Sequence, residues 1–490
     1  MSTILKQDYR NEYHFSPKEK WMNDPNGMVF FNGEYHLFYQ HHPHGTTWGP
    51  MHWGHAVSRD LISWEELPIA ILPDENGTIF SGSAVVDWNN TTGFFEGEPG
   101  LVAIFTHHLE VKNQDAIQTQ SLAYSKDSGR TWTKYEGNPV LKHESFVDFR
   151  DPKVFWHEQS KEWVMIIACG QTVCLYRSPN LKDWTLGSEF GAGIGSHDGV
   201  WECPDLFPLA VDGDSGQEKW VMLVSIGADP AFIEGSRTQY FTGDFDGTTF
   251  VPDEASQTIR WIDYGRDNYA GVSWSDVPEE DGRRLIIGWM SNWMYANQTP
   301  TNDYRGAMTI ARELTLETRA GEVILIQRPA RELEQARTPV LSLQDASIQQ
   351  VSEQLNALQL VNYEIHAEWT PNQSFHFALR SGADHETVVG VDSIRSEVYV
   401  DRSRSGIGNF HELFLSRHTA ELKEVNGNQS LRIFVDHSSV EVFANDGQAV
   451  ITDLIYPDAD CQGISAHAEN TDLVFSSLHI YEISSTKAKG

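Results

Sequence analysis

Between residue 20 and about residue 330 the chain offers almost no helical periodicity. Short apolar or alternating runs recur instead, among them YHLFYQ, LVAIFTH, WVMIIACG, WVMLVSI and LIIGWM, separated by clusters of Gly, Asn, Asp and Pro. Side chains alternate across a strand every second residue, so runs bounded by turn formers read as strands. This restricts the region to an all-β sandwich, barrel or propeller. An internal repeat narrows the choice. A strand end, a polar turn and an aromatic recur as AVSRDLISWEEL, AYSKDSGRTWTKY, YRSPNLKDWTLG and YFTGDFDGTTFV, with the aromatics at Trp64, Trp132, Trp184 and Phe250. The period of roughly 50–70 residues suits a four-stranded propeller blade. Four copies and a segment ending in GWMSNW predict a five-bladed β-propeller over residues 1–335.

The stretch RELEQARTPVLSLQDASIQQVSEQLN carries few aromatics and reads as a linker with some helical character, assigned to 336–356. Alternation returns over 357–490 in YEIHAEWT, SFHFALRSG, LRIFVDHSSVEVFAND and LVFSSLHIYEI. That pattern, with Gly and Asn turns, predicts a C-terminal β-sandwich packed on the propeller. Its SVEVF strand is expected at an exposed edge where a second copy could pair, which leaves a homodimer open.

Charge and composition exclude several partners. The 490 residues carry a formal net charge of −33, which repels phosphate backbones and anionic lipid, so no nucleic acid and no membrane surface is expected. No apolar run reaches the length of about 18 residues that a spanning helix needs. The N-terminal MSTILKQDYRNEYHFSP lacks the apolar core of an export leader, so a cytoplasmic location is expected, with a trimmed secreted form as the alternative. Sixteen Trp hint at carbohydrate, because indoles stack on sugar rings as well as filling cores. Cys169, Cys174, Cys203 and Cys461 form no CxxC pair and read as buried free thiols. The HHPH run at 41–44 has no carboxylate or Cys at ligand spacing, and reads as a polar loop with some substrate-facing His rather than a metal site. No metal and no cofactor is expected.

A second repeat bears on chemistry. DPNGMVF at 24–30, DPKVF at 151–155 and CPDLF at 203–207 share a Pro followed by an apolar-Phe pair. As equivalent starts of the innermost strands, they would bring Asp24, Asp151 and Glu202 to one mouth of the central channel. Two carboxyl groups flanking a sugar bond suffice for glycoside hydrolysis when their surroundings separate their proton affinities. Backbone N–H groups of the Pro-Asn-Gly turn are expected to keep Asp24 ionised, as a nucleophile needs. Glu202 lies between Trp201 and Cys203-Pro204, an apolar setting that suits a general acid. Arg150 is expected to keep Asp151 ionised. Taken singly, NDPNG is a tight turn and RDP or ECP a strand start. Their recurrence leaves two readings open, a glycan-cleaving site and a propeller that only binds sugar.

The segments WMNDPNG, FYQ, WGPMHWGHA, LPIAILPD, FSGSAV, FRDPKVFW, WECPDLF, TQYFTGDFDG, DYGRDNYA and GWMSNW resemble, in consistent order, glycoside hydrolase family 32, whose invertases, exo-inulinases and levanases act on β-fructofuranosides. The resemblance implies a propeller with an appended sandwich and a retaining double displacement. It makes Asp24 the nucleophile, Glu202 the acid/base and Asp151 the transition-state stabiliser, with the Asp24 and Glu202 carboxyls about 5–5.5 Å apart. It places Asn23, Gln40, Trp48, Ser81, Arg150 and Trp289 around the fructose, with Asp263 and Tyr264 supporting the acid. The implied activity is an exo-acting β-fructofuranosidase on fructo-oligosaccharides, fructans and sucrose. A fructosyltransferase of the same mechanism and a non-catalytic sugar-binding propeller are the alternatives. The loop WGPMHWGHA looks like that of fructan exo-hydrolases. Phe232, Ile233, Glu234 and Arg237 depart from the family pattern and are expected to narrow the pocket mouth.

Overall fold

The computed structural model describes residues 8–423 and 427–485. The first seven residues, on which the reading of no export leader partly rests, lie outside them. Among the described residues, five antiparallel four-stranded units follow one another along the chain. They begin with the strands Lys20–Phe31, Thr78–Asp87, Phe149–His157, Trp201–Val211 and Tyr269–Ser273. Each of these first strands packs against the first strand of the next unit, and the fifth returns to the first. That closed ring is a five-bladed β-propeller, with the five first strands lining its channel.

The aromatic repeat marks the hairpin between the third and fourth strand of a blade, as between His52–Ser58 and Trp64–Ile71. A short polar side chain closes each turn. Asp60 Oδ1 accepts from the amides of Ile62 and Ser63, Asn180 Oδ1 from Lys182 and Asp183, and Asp246 Oδ1 from Thr248 and Thr249. These Asx turns are why the repeat is legible.

All five inner strands share one irregularity. Pairing slips by one residue between Met22 and Pro25, Ile79 and Gly82, Arg150 and Lys153, Glu202 and Asp205, and Tyr269 and Val272. A bulge of this kind re-aims the side chains beside it. Five of them at one level turn residues that a regular strand would point at a sheet face into the channel mouth. Asp151, Cys203 and Ala270 take left-handed φ of 65°, 45° and 54° there, a backbone cost of about 1–3 kcal/mol each that the surrounding sheet must offset.

The C-terminal region is a sandwich of a six-stranded and a five-stranded sheet. The stretch expected as a linker belongs to it. Arg337–Ser347 is an edge strand paired antiparallel with Val474–Ile483. Ile348–Leu355 is a helix with a Ser347/Gln350 capping box, and its Ile348, Val351 and Leu355 enter the sandwich core. Two features hid this: Pro339 inside a strand, and a polar outer face typical of an edge. SVEVF is likewise not at an edge. Ser439–Ala444 lies between two partner strands and is buried along its length, so the ground for a homodimer through it falls away.

A buried polar seam joins the two regions. Arg312, 1% exposed, donates to Asp263 at 3.0 Å, Glu441 at 2.7 Å, Thr452 at 2.7 Å and Gln327 at 3.2 Å. His14 sits 2.8 Å from both Asp436 and Glu441. Cys169 and Cys174 are joined as a disulfide, against the expectation of free thiols, while Cys203 and Cys461 are free. The missed signal is a hairpin: the strands carrying the two cysteines are adjacent and Cys169 pairs with Thr172.

Candidate active site

Asn23, Asp24, Gln40, Trp48, Ser81, Arg150, Asp151 and Glu202 line one cavity of about 500 Å³ at the bulged mouth of the channel. Eight of the eleven residues expected at the site therefore meet, drawn from four of the five blades.

The first blade supplies Asp24. Gly27 has a φ of +54°, and a Cβ there would stand 2.5 Å from the Phe38 ring, so only Gly allows the chain to turn between Asp24 and the strand proper. Trp21 Nε1 donates to Asn23 Oδ1 at 2.7 Å, which fixes the amide so that its Nδ2 donates to Asp24 Oδ1 at 3.0 Å. Ser81 Oγ donates to Asp24 Oδ2 at 2.9 Å, and the Cys203 thiol reaches the same oxygen at 3.5 Å. The donors are side chains from three blades rather than the turn amides that the sequence suggested. Burial, reinforced by the nearby Glu202 charge, pushes the Asp24 carboxyl up to about 6, and those donors only partly offset it. Gln40 donates its Nε2 to Asn26 Oδ1 at 2.8 Å, which presents its carbonyl end to the cavity.

Asp151 and Glu202 stand at staggered points, not equivalent ones. Asp151 is the first bulged residue of its strand, Asp24 the second, and Glu202 the last paired residue before its bulge. Asp151 Oδ2 accepts from the Cys203 amide at 3.0 Å, and the Cys203 sulfur lies 3.5 Å from it too, its single proton shared between this carboxyl and Asp24. Burial raises the Asp151 carboxyl; Arg150 opposes this, and the Glu202 and Asp24 charges add to it. The Arg150 charge favours the ionised Asp151 as expected, but burial outweighs it, and the guanidinium bonds elsewhere. It donates through Nη2 to Glu202 at 2.9 Å and through Nη1 to Asp148. Glu202 is consequently not in an apolar setting. One oxygen accepts from Arg150 and the other from the Tyr269 hydroxyl.

Three expected residues lie elsewhere. Asp263 is buried in the seam, accepting from Arg312, Thr452 and Asn268. The Tyr264 amide donates to the Val450 carbonyl of the sandwich at 2.8 Å. Neither lines the cavity. Asp267 makes a parallel pin, to Arg402 at 2.6 Å and the Leu454 amide at 2.8 Å. The sandwich thus braces the DYGRDNYA loop, and the tyrosine that reaches Glu202 is Tyr269. The repeat could have found it, because Arg150, Glu202 and Tyr269 hold the same register point. Trp289 is fully buried between Trp21, Tyr269 and Trp293, and the ring at the cavity is Trp293 of the same GWMSNW motif.

The rim also differs. His41 is buried on the Trp21 carbonyl, the half-exposed His42 is bonded to that of Thr47, and the HHPH run supplies no lining residue. His108 lines the wall instead, its ring stacked on Phe80 at 4.1 Å and bonded to Gln118. Phe232 and Ile233 face solvent, Glu234 lies 3.8 Å from Arg266, and Arg237 covers Trp261, so none of the four narrows the mouth. Gly227 and Ala228 line it.

The chain matches two family profiles in tandem, "Glycosyl hydrolases family 32 N-terminal domain" over residues 14–329 and "Glycosyl hydrolases family 32 C terminal" over 332–482. It is 53% identical to the levanase of Bacillus subtilis (strain 168), over 98% of this chain and 71% of that protein. It superimposes on the crystal structure of exo-inulinase from Aspergillus awamori with a TM-score of 0.89 at 37% identity, covering 98% of this chain and 99% of the other. The β-fructofuranosidase of Schwanniomyces occidentalis, solved with fructosyl-erythritol, superimposes at 0.86 with 33% identity, covering 99% of this chain and all of that one. The tandem profiles span the propeller and the sandwich alike, and the chain belongs to glycoside hydrolase family 32.

Proposed function

We propose that the protein is an exo-acting β-fructofuranosidase that removes terminal non-reducing fructose from fructans, fructo-oligosaccharides and sucrose with retention of configuration. The observation that carries this is the meeting of Asp24, Asp151 and Glu202 in one cavity, and the relatives named levanase and exo-inulinase support it. Asp24 attacks C2 of the fructosyl unit while Glu202 gives its proton to the departing oxygen, so the glycosidic bond breaks as the ester to Asp24 forms. Glu202 then takes a proton from water, which attacks C2 and releases Asp24. Asp151, held by the Cys203 amide, accepts from fructose hydroxyls and favours the oxocarbenium-like transition state. Arg150 and Tyr269 orient Glu202, and Asn23 and Ser81 orient Asp24. No step requires a metal or an organic cofactor.

Chromatography of products from sucrose, kestose, inulin and levan, each incubated with purified protein, tests this reading. Fructose released without intermediate-length fragments is expected. A ladder of longer products from sucrose would mean a transferase, and no release from any of the four would overturn the assignment.

A further inference from the structure

The channel has a second mouth. The inner strands that bring Asp24, Asp151 and Glu202 to one end run on to a cavity of about 530 Å³ at the other, as large as the catalytic one. Trp156 lies five residues beyond Asp151, about 17 Å at the rise of a strand. A polar layer forms the inner end of this cavity. Lys153 donates to the Ser273 carbonyl and lies 3.6 Å from Asp205, which accepts from the Ser273 amide at 2.7 Å. Ser83 bridges the Pro152 carbonyl and the Val154 amide at 2.9 and 3.0 Å.

The far cavity is built of groups that suit a neutral sugar. Trp88, 57% exposed, presents an indole whose Nε1 is fixed on Asp276 at 2.8 Å. Asp276 is in turn held by the Val86 amide at 2.9 Å. A large ring left in water yet locked in orientation is a preformed platform for the C–H face of a sugar. Trp156, half-buried and fixed on Glu158 at 2.8 Å, is a second ring in the same wall. Arg284 lines the floor over the Phe207 ring, donates only to the Trp274 carbonyl at 3.4 Å and, among the described residues, has no carboxylate within ion-pair distance. Its remaining side-chain N–H groups have no protein acceptor among the described residues. Asn89, Gln159 and Glu279 on the rim add donors and acceptors. The acidic groups around the rim disfavour an anion, and a wall of rings with paired donors and acceptors fits a polyol.

We propose that this cavity is a second, non-catalytic carbohydrate site that holds an internal stretch of the fructan chain while the opposite mouth works on chain ends. The choice of fructan rests on the function proposed above; the site itself does not. Electrophoresis of the native protein through gels containing levan tests it, with Trp88→Ala and Trp88→Phe compared to wild type. Levan is expected to retard wild type. Trp88→Ala should bind about tenfold more weakly, with its rate on sucrose unchanged, and Trp88→Phe, which keeps a ring, should retain most of the retardation. Equal retardation of Trp88→Ala and wild type would overturn the proposal, as would equal loss in both variants. If fructose is not released from sucrose while Trp88→Ala still loses retardation, the proposed activity fails and the second site stands.

Discussion

Replacing the central carboxylate should stabilise the protein at neutral pH and weaken it in acid. Asp24 is displaced from 3.8 to about 6 by burial and by the nearby Glu202 charge. Its charged form is therefore disfavoured in the native state by about 3 kcal/mol. Because the folded value lies above the unfolded one, the native state holds this proton more tightly. The stability it confers is fully present below pH 3.8 and is lost as pH rises through about 6. Asp24→Asn removes the charge and keeps the shape. The new amide still accepts from Ser81, but its nitrogen meets the Asn23 Nδ2, which cannot turn away because Trp21 holds Asn23 Oδ1. That donor–donor contact costs about 1 kcal/mol. At pH 7 the variant should thus be more stable by about 2 kcal/mol, a rise in melting midpoint of about 2 °C for a chain this long. At pH 3 the charge term has nearly vanished, and the variant should be less stable by about 1 kcal/mol. Thermal scans of both proteins at the two pH values check this. A difference of the same sign and size at both would refute the claim that Asp24 is held charged at a cost.

The same displacement sets activity: kcat/KM should fall as pH drops below about 6, since Asp24 must be ionised to attack, whereas an ordinary aspartate would place that limb near pH 4. Tyr269→Phe should lower kcat/KM on sucrose and inulin by about 10–100-fold through loss of the hydrogen bond that orients Glu202, while Tyr264→Phe should stay within about twofold. Steady-state kinetics of the pair separates the two tyrosines. Arg312→Met leaves Asp263 buried without its cation and Glu441 with His14 alone, and should cost about 3–5 kcal/mol in denaturant unfolding.

The blades were legible because each repeats an Asx turn and an aromatic at fixed points, so local chemistry and global architecture agree there. The three carboxylates that meet in the cavity were legible as a repeat of Pro-flanked strand starts. Their relative placement was not. The bulges stagger Asp24, Asp151 and Glu202 by one residue each way, and a bulge is a pairing event that no single strand records. Tyr269 was passed over for Tyr264 for the same reason: the two stand close together in one motif, and only the register of the fifth inner strand separates them. The partner of Arg150 follows from the same irregularity. Arg150, the last paired residue before the bulge, reaches Glu202, while the bulge re-aims Asp151 into the same cavity. The edge strand 337–347 escaped notice because one face of an edge is polar and Pro is tolerated there.

The central claim is that Asp24 carries the fructosyl unit between the two half-reactions. Acid quenching during steady turnover of sucrose, followed by peptide mapping, tests it most directly. The account predicts a fructosyl ester on the peptide containing Asp24 and none on that containing Asp151. An ester found on Asp151 would contradict it.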